Sequence, residues 1–177
     1  FSFTYLDSGA LYRAVTLFAM ENGFIDDECT IDVPGLEKAL TDLDVHFGKG
    51  GTYIGERCVE KEIRSLAIAG KVSPIATVPQ VRNFVDKKLR EFGKLRRIVM
   101  DGRDIGTVVL PDAKVKIFLT ADPEERAMRR FKELQEKGST VTYKEVLDDL
   151  MVRDYNDSHR EIAPLKPAED SVVINTT

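Results

Sequence analysis

Four short apolar runs, at 3–6, 98–100, 115–119 and 172–174, constrain this chain more than any other feature. They are built mainly from Val, Ile, Leu and Phe, and helix-length stretches separate them where tight turns would join antiparallel partners. Strands lying parallel need long crossovers, because each must return to the same end of the sheet. The pattern therefore predicts an α/β fold with a parallel sheet and flanking helices. Each run ends in polar residues: Asp7-Ser8-Gly9, Asp101-Gly102-Arg103-Asp104, Thr120-Ala121-Asp122 and Asn175-Thr176-Thr177. Open parallel sheets bind ligands beyond the carboxyl ends of their strands, so the polar residues gather where a site is expected.

The helices between are signposted. Ser8 is expected to cap a helix with Leu11, Val15 and Phe18 on its apolar face and Gly23 at its end. Asp122-Pro123-Glu124-Glu125 reads as a cap, a proline in the first turn and a capping box, with Ala127, Phe131 and Leu134 as the stripe and Gly138 as the stop. Thr142 and Glu145 form a second capping box before Val146, Leu147, Leu150 and Met151. Residues 79–92 carry Val81, Val85 and Leu89 at helical spacing. Between Val45 and Val59 the pattern turns to alternation around Gly50-Gly51 and Gly55, which predicts a small antiparallel meander. The expected organisation is a core of residues 1–34 and 76–177, with an inserted lobe at 35–75.

A chain of 177 residues is enough for one core with a small appended lobe. Its net charge of −4 gives no basic field for nucleic acid. No apolar stretch reaches the roughly 18 residues of a membrane span. Cys29 and Cys58 have no metal-ligand spacing and read as reduced thiols, which places the protein in the cytoplasm. His46 and His159 have no paired partner, and no serine or cysteine sits in a nucleophile pattern.

Arginines are the more informative charges. Arg13 and Arg103 follow strand ends, Arg153 and Arg160 lie in "VRDYNDSHREIAP", and Arg126, Arg129 and Arg130 share one helical face. A guanidinium binds phosphate in a two-pronged fork and keeps its charge at working pH. Several of them arriving from different elements suit anionic substrates. Asp101, Asp104 and Asp157 could bind metal, a sugar or a base, and Asp101 could equally cap the turn that follows it.

"YLDSGALYRAV", "DGRDIGTVVLPDAKVKIFLTADPEERAMRR" and "RDYNDSHREIAPLKPAEDSVVINTT" together resemble the bacterial cytidylate (CMP/dCMP) kinases, in order and over nearly the whole chain. The resemblance implies a P-loop-kinase-like parallel sheet, a nucleotide-monophosphate lobe formed by the insert, and a helical lid at about 123–160. It implies transfer of the γ-phosphate of ATP, with Mg²⁺, to CMP or dCMP by a monomer. By position, Arg13, Arg103 and Arg160 would grip the CMP phosphate. Ser73, Arg82 and Asp104 would read cytosine, and Ser8, Arg153 and Asp157 would lie near the sugar. Arg126, Arg129 and Arg130 would close on ATP, and with Arg153 they are the expected catalytic set. No metal is expected to be held by protein side chains alone.

The family's P-loop, G-x-x-x-x-G-K-[ST], does not occur in residues 1–177. In the family it precedes the Asp-Ser-Gly segment on a central strand, so that strand is expected to be absent here. A closing helix would follow Thr177. The stretch by itself is expected to bind ATP poorly. The alternative reading is a catalytically incomplete nucleotide-binding fragment or regulatory module that lacks the ATP site.

Overall fold

The computed structural model describes residues 2–95 and 97–177 and divides the chain into two compact units. One ends at Ile105 and the other runs Gly106–Thr177. The first opens with β1 (Thr4–Asp7), which passes directly into α1 (Ser8–Glu21). The cap of α1 is Asp7, whose extended backbone (φ −84°, ψ 101°) ends the strand; Ser8 is already helical. Sequence favours Ser8 as the cap on residue type, but the last extended residue takes that place, and its side chain makes no cap bond. Gly23 stops the helix as expected, at φ +71°.

Next come α2 (Val33–Leu40), β2 (Val45–Gly48), β3 (Gly51–Ile54) and β4 (Arg57–Cys58). The last three form the antiparallel meander predicted from the alternation, in the order β2-β3-β4. Gly48 pairs with Gly51 across a two-residue turn, and Gly50 there has φ +102°, a conformation side chains resist. A 3₁₀ turn (Glu62–Arg64), α3 (Leu66–Ile75), α4 (Pro79–Gly93) and β5 (Ile98–Asp101) complete the unit. β5 lies parallel to β1, with Asp7 opposite Asp101. The core is formed by α1, α3, α4 and the meander, through Leu11, Val15, Val45, Ile63, Ile75, Val85 and Leu89, all buried.

A short π-helical turn (Ile105–Val109) carries the chain onward. The second unit holds β6 (Ile117–Thr120), α5 (Pro123–Glu136), α6 (Tyr143–His159) and β7 (Val172–Asn175). β6 and β7 pair in parallel, Ile117 with Val172 through Thr120 with Asn175. The expected strand at 115–119 starts two residues later, and Val115 is exposed. Asp122 takes the cap position of α5 but its side chain caps nothing, so the expected box does not form there. α6 has the full box. α5 and α6 pack on one another, with Ala127 and Val146 buried.

Candidate active site

In the first unit the site is built where β1 and β5 end. Pro79 starts α4, and its buried face carries Val81, Arg82, Val85, Asp86 and Leu89. A guanidinium on such a face must be paired, because an unpartnered buried charge is very costly. Arg82 meets that requirement through the turn after β5: its Nη2 forms a buried ion pair with Asp104. Its Nη1 donates to the Ala76 carbonyl at 3.1 Å. The guanidinium also lies over the Tyr12 ring, 5.5 Å from its centroid. The Tyr12 hydroxyl in turn donates to Asp86 at 3.1 Å. Burial, and then the charge of Asp86, push that phenol well above its ordinary range. The Arg82 Nε–H is buried and has no acceptor among the described residues.

Ser8 is buried in the first turn of α1. A Cβ placed on Gly102 would sit 2.2 Å from Ser8 Oγ, so the β1–α1 corner and the turn after β5 touch directly. Ser73 is half-buried in α3, one turn before the Ala76 carbonyl that anchors Arg82. Arg13 donates to the Ile63 carbonyl at 3.3 Å. Arg103 is half-buried between Gly102 and Asp104. The structure thus joins Arg82 to Asp104, sets Ser73 on the helix that anchors them, and places Ser8 against the same turn.

A second cluster adjoins it. Arg64 Nη1 reaches Asp7 at 2.7 Å, while its Nε and Nη2 donate to Glu60 Oε1 at 3.0 and 2.8 Å. Glu60 Oε2 accepts from the backbone N–H and the hydroxyl of Thr52, each at 3.0 Å. This chain ties the end of β1 to β3. Burial alone would raise the Glu60 carboxyl; the bonds from Arg64 and Thr52 hold it below its usual range. Asp101 moves the other way, raised by partial burial and then by the facing Asp7. A cleft of about 440 Å³ opens here, lined by Tyr5, Asp7, Phe47, Thr52, Arg64 and Phe92 among others. Ser8, Tyr12, Arg82, Asp86 and Asp104 are not among its lining residues.

In the second unit, Asp157 is buried on α6 with Arg160 Nη1 at 3.6 Å and Arg153 Nε at 3.9 Å. Arg160 Nε donates to the Ala163 carbonyl at 2.7 Å. Arg160, expected on the phosphate, thus lies beside Asp157, which with Arg153 is expected near the sugar. The arginines of α5 do not share one target. Arg126 forks onto both oxygens of Asp154, at 2.5 and 3.1 Å. Arg129 donates to the Thr176 carbonyl at 2.5 Å, and Arg130 pairs with Glu133 at 3.1 Å.

Sequence reasoning missed Tyr12, Asp86, Arg64 and Glu60. One signal was available: Asp86 interrupts the apolar stripe of its helix four residues after Arg82. Arg64 and Asp7 are far apart along the chain and carry no local signature.

Among the described residues no helix is long and apolar enough to cross a membrane. A family profile described as cytidylate kinase matches residues 1–177. A cytidylate kinase of Parabacteroides distasonis is 48% identical over 181 residues, covering 99% of this chain and 79% of that protein. One of Thermosipho melanesiensis is 47% identical over 173 residues, covering 98% and 77%. One of Bacteroides thetaiotaomicron is 44% identical, covering 99% and 79%. The buried arginine–aspartate pair past the second parallel strand, the antiparallel lobe and an unbroken match along the chain agree: the chain belongs to the cytidylate kinase family.

Proposed function

We propose that this phosphotransferase moves the γ-phosphate of ATP to CMP or dCMP, and that the Arg82–Asp104 pair is the part of it that recognises the base. The observation that carries the reading is this buried ion pair, with the Arg82 Nε–H left without an acceptor among the described residues. Cytosine presents an amino donor at N4 and acceptors at N3 and O2. Asp104 accepts from the amino group, while Arg82 and Ser73 donate to the acceptors. Uracil reverses the upper edge, so Asp104 would face a carbonyl. A polar group left unpaired in a buried site costs about 1–3 kcal/mol, which a site of this kind converts into discrimination.

Ser8, Arg13 and Arg103 supply hydrogen bonds and positive charge for the sugar and phosphate of the acceptor. Arg153, Asp157 and Arg160 are assigned to the same groups by resemblance, and their clustering on α6 supports treating them as a set. Arg126, Arg129 and Arg130 are the arginines proposed to close on ATP. Phosphoryl transfer needs alignment and charge neutralisation more than covalent help. Among the described residues no group of three or more His, Cys, Asp or Glu side chains could hold a metal ion. The arrangement suits Mg²⁺ arriving on the nucleotide's phosphates, where it neutralises their charge.

A coupled assay of ADP release, run on the whole gene product with CMP, dCMP, UMP and AMP, tests the reading. The cytosine nucleotides should be used at least about tenfold more efficiently than the others. Equal use of all four would overturn it. Binding of CMP with no ADP release would support a nucleotide-binding module instead.

A further inference from the structure

Among the described residues of the first unit, Arg82, Asp86 and Asp104 are the buried charged ones, and the base-reading assignment uses only one of the two carboxylates. Asp104 pairs with Arg82 directly. Asp86 is 7% exposed, one turn further along α4, on the stripe that Val81, Val85 and Leu89 otherwise make apolar. An aliphatic side chain there would complete the stripe with no charge to desolvate. Asp86 instead holds the hydroxyl of Tyr12, whose ring lies beneath the Arg82 guanidinium.

We propose that Asp86 and Tyr12 are positioning residues for base selectivity, acting through Arg82. Asp86 fixes the Tyr12 hydroxyl, Tyr12 fixes the plane of the guanidinium, and the Asp86 carboxylate adds negative charge behind them. With Nη1 on the Ala76 carbonyl and Nη2 on Asp104, the guanidinium has one orientation, and its buried Nε–H has no acceptor among the described residues. Negative charge there favours a base edge carrying an amino group and disfavours one carrying a carbonyl oxygen. The inference rests on the cytidylate reading and adds a second layer beneath it.

Asp86→Asn keeps the volume of the side chain and an oxygen for the Tyr12 hydroxyl while removing the charge. Tyr12→Phe keeps the ring and removes the tie. Both are assayed in the whole gene product for kcat/KM with CMP and with UMP. The ratio of the two values is the readout, because a loss of folded enzyme scales both equally. Asp86→Asn should lower the CMP/UMP ratio about tenfold and Tyr12→Phe about threefold. Tyr12→Phe carries the test if Asp86→Asn fails to fold. A wild type that prefers CMP, with both soluble variants within about twofold of its ratio, would overturn the inference and leave the cytidylate reading standing. A wild type without preference for CMP would overturn the reading itself.

Discussion

Gly102 is a residue at which one added methyl group should do damage. Its backbone needs no left-handed conformation; what it needs is room. A Cβ there would lie 2.2 Å from Ser8 Oγ and 2.9 Å from the side chain of Ile105. Gly102→Ala should therefore cost about 1–3 kcal/mol through overpacking, read in a denaturant melt. Adding Ser8→Ala removes the nearest atom and should recover part of that loss. A double variant no more stable than the additive sum would show that the two residues do not press on each other. The sequence marks Gly102 as a turn between carboxylates. The close approach to Ser8, across more than ninety residues, has no local trace in it. Asp104 is similar: its carboxyl reads as a ligand contact, and its ion pair with Arg82 emerges only when α4 packs against the turn.

At the scale of elements, capping separates what pattern can and cannot tell. The box at the start of α6 forms as read: Glu145 N–H donates to Thr142 Oγ1 at 3.3 Å, and Thr142 N–H to Glu145 Oε2 at 2.7 Å. Those bonds from Thr142 hold the Glu145 carboxyl below its usual range. A depressed carboxylate contributes stability above its unfolded pKa of about 4.3, and loses it as pH falls through the folded value. The melting-temperature advantage of wild type over Glu145→Gln should accordingly shrink between about pH 5 and pH 3. A constant difference would contradict that origin. At the starts of α1 and α5 the same grammar gives the position but not the bond. Asp7 caps α1 by backbone alone, its carboxylate being spent on Arg64. Asp122 precedes α5 without capping it. Local residue types announce a helix start; which group satisfies it depends on partners brought from elsewhere in the chain.

For the whole molecule, alternation and apolar runs made the strands, the meander and the parallel pairing legible. Burial was less so. Apolar runs imply covered strands, yet Ile117, Leu119, Val172, Val173 and Ile174 are exposed on β6 and β7, and Val99 is exposed on β5. Which faces of a strand are covered is set by the elements that pack on it, and no periodicity in the strand itself reports them. The arginines show the same limit. Their positions were readable, but Arg126 turned to Asp154 and Arg129 to Thr176, because the acceptors that claim a guanidinium are set by packing. Asp104→Asn tests the proposed base-reading role of the Arg82–Asp104 pair with little change of shape. The amide keeps a hydrogen-bond acceptor but gives up the charge that balances Arg82. The account predicts a fall of about tenfold or more in the CMP/UMP ratio of kcat/KM, with the variant still folded by circular dichroism. A folded Asp104→Asn enzyme with the wild-type ratio would contradict it.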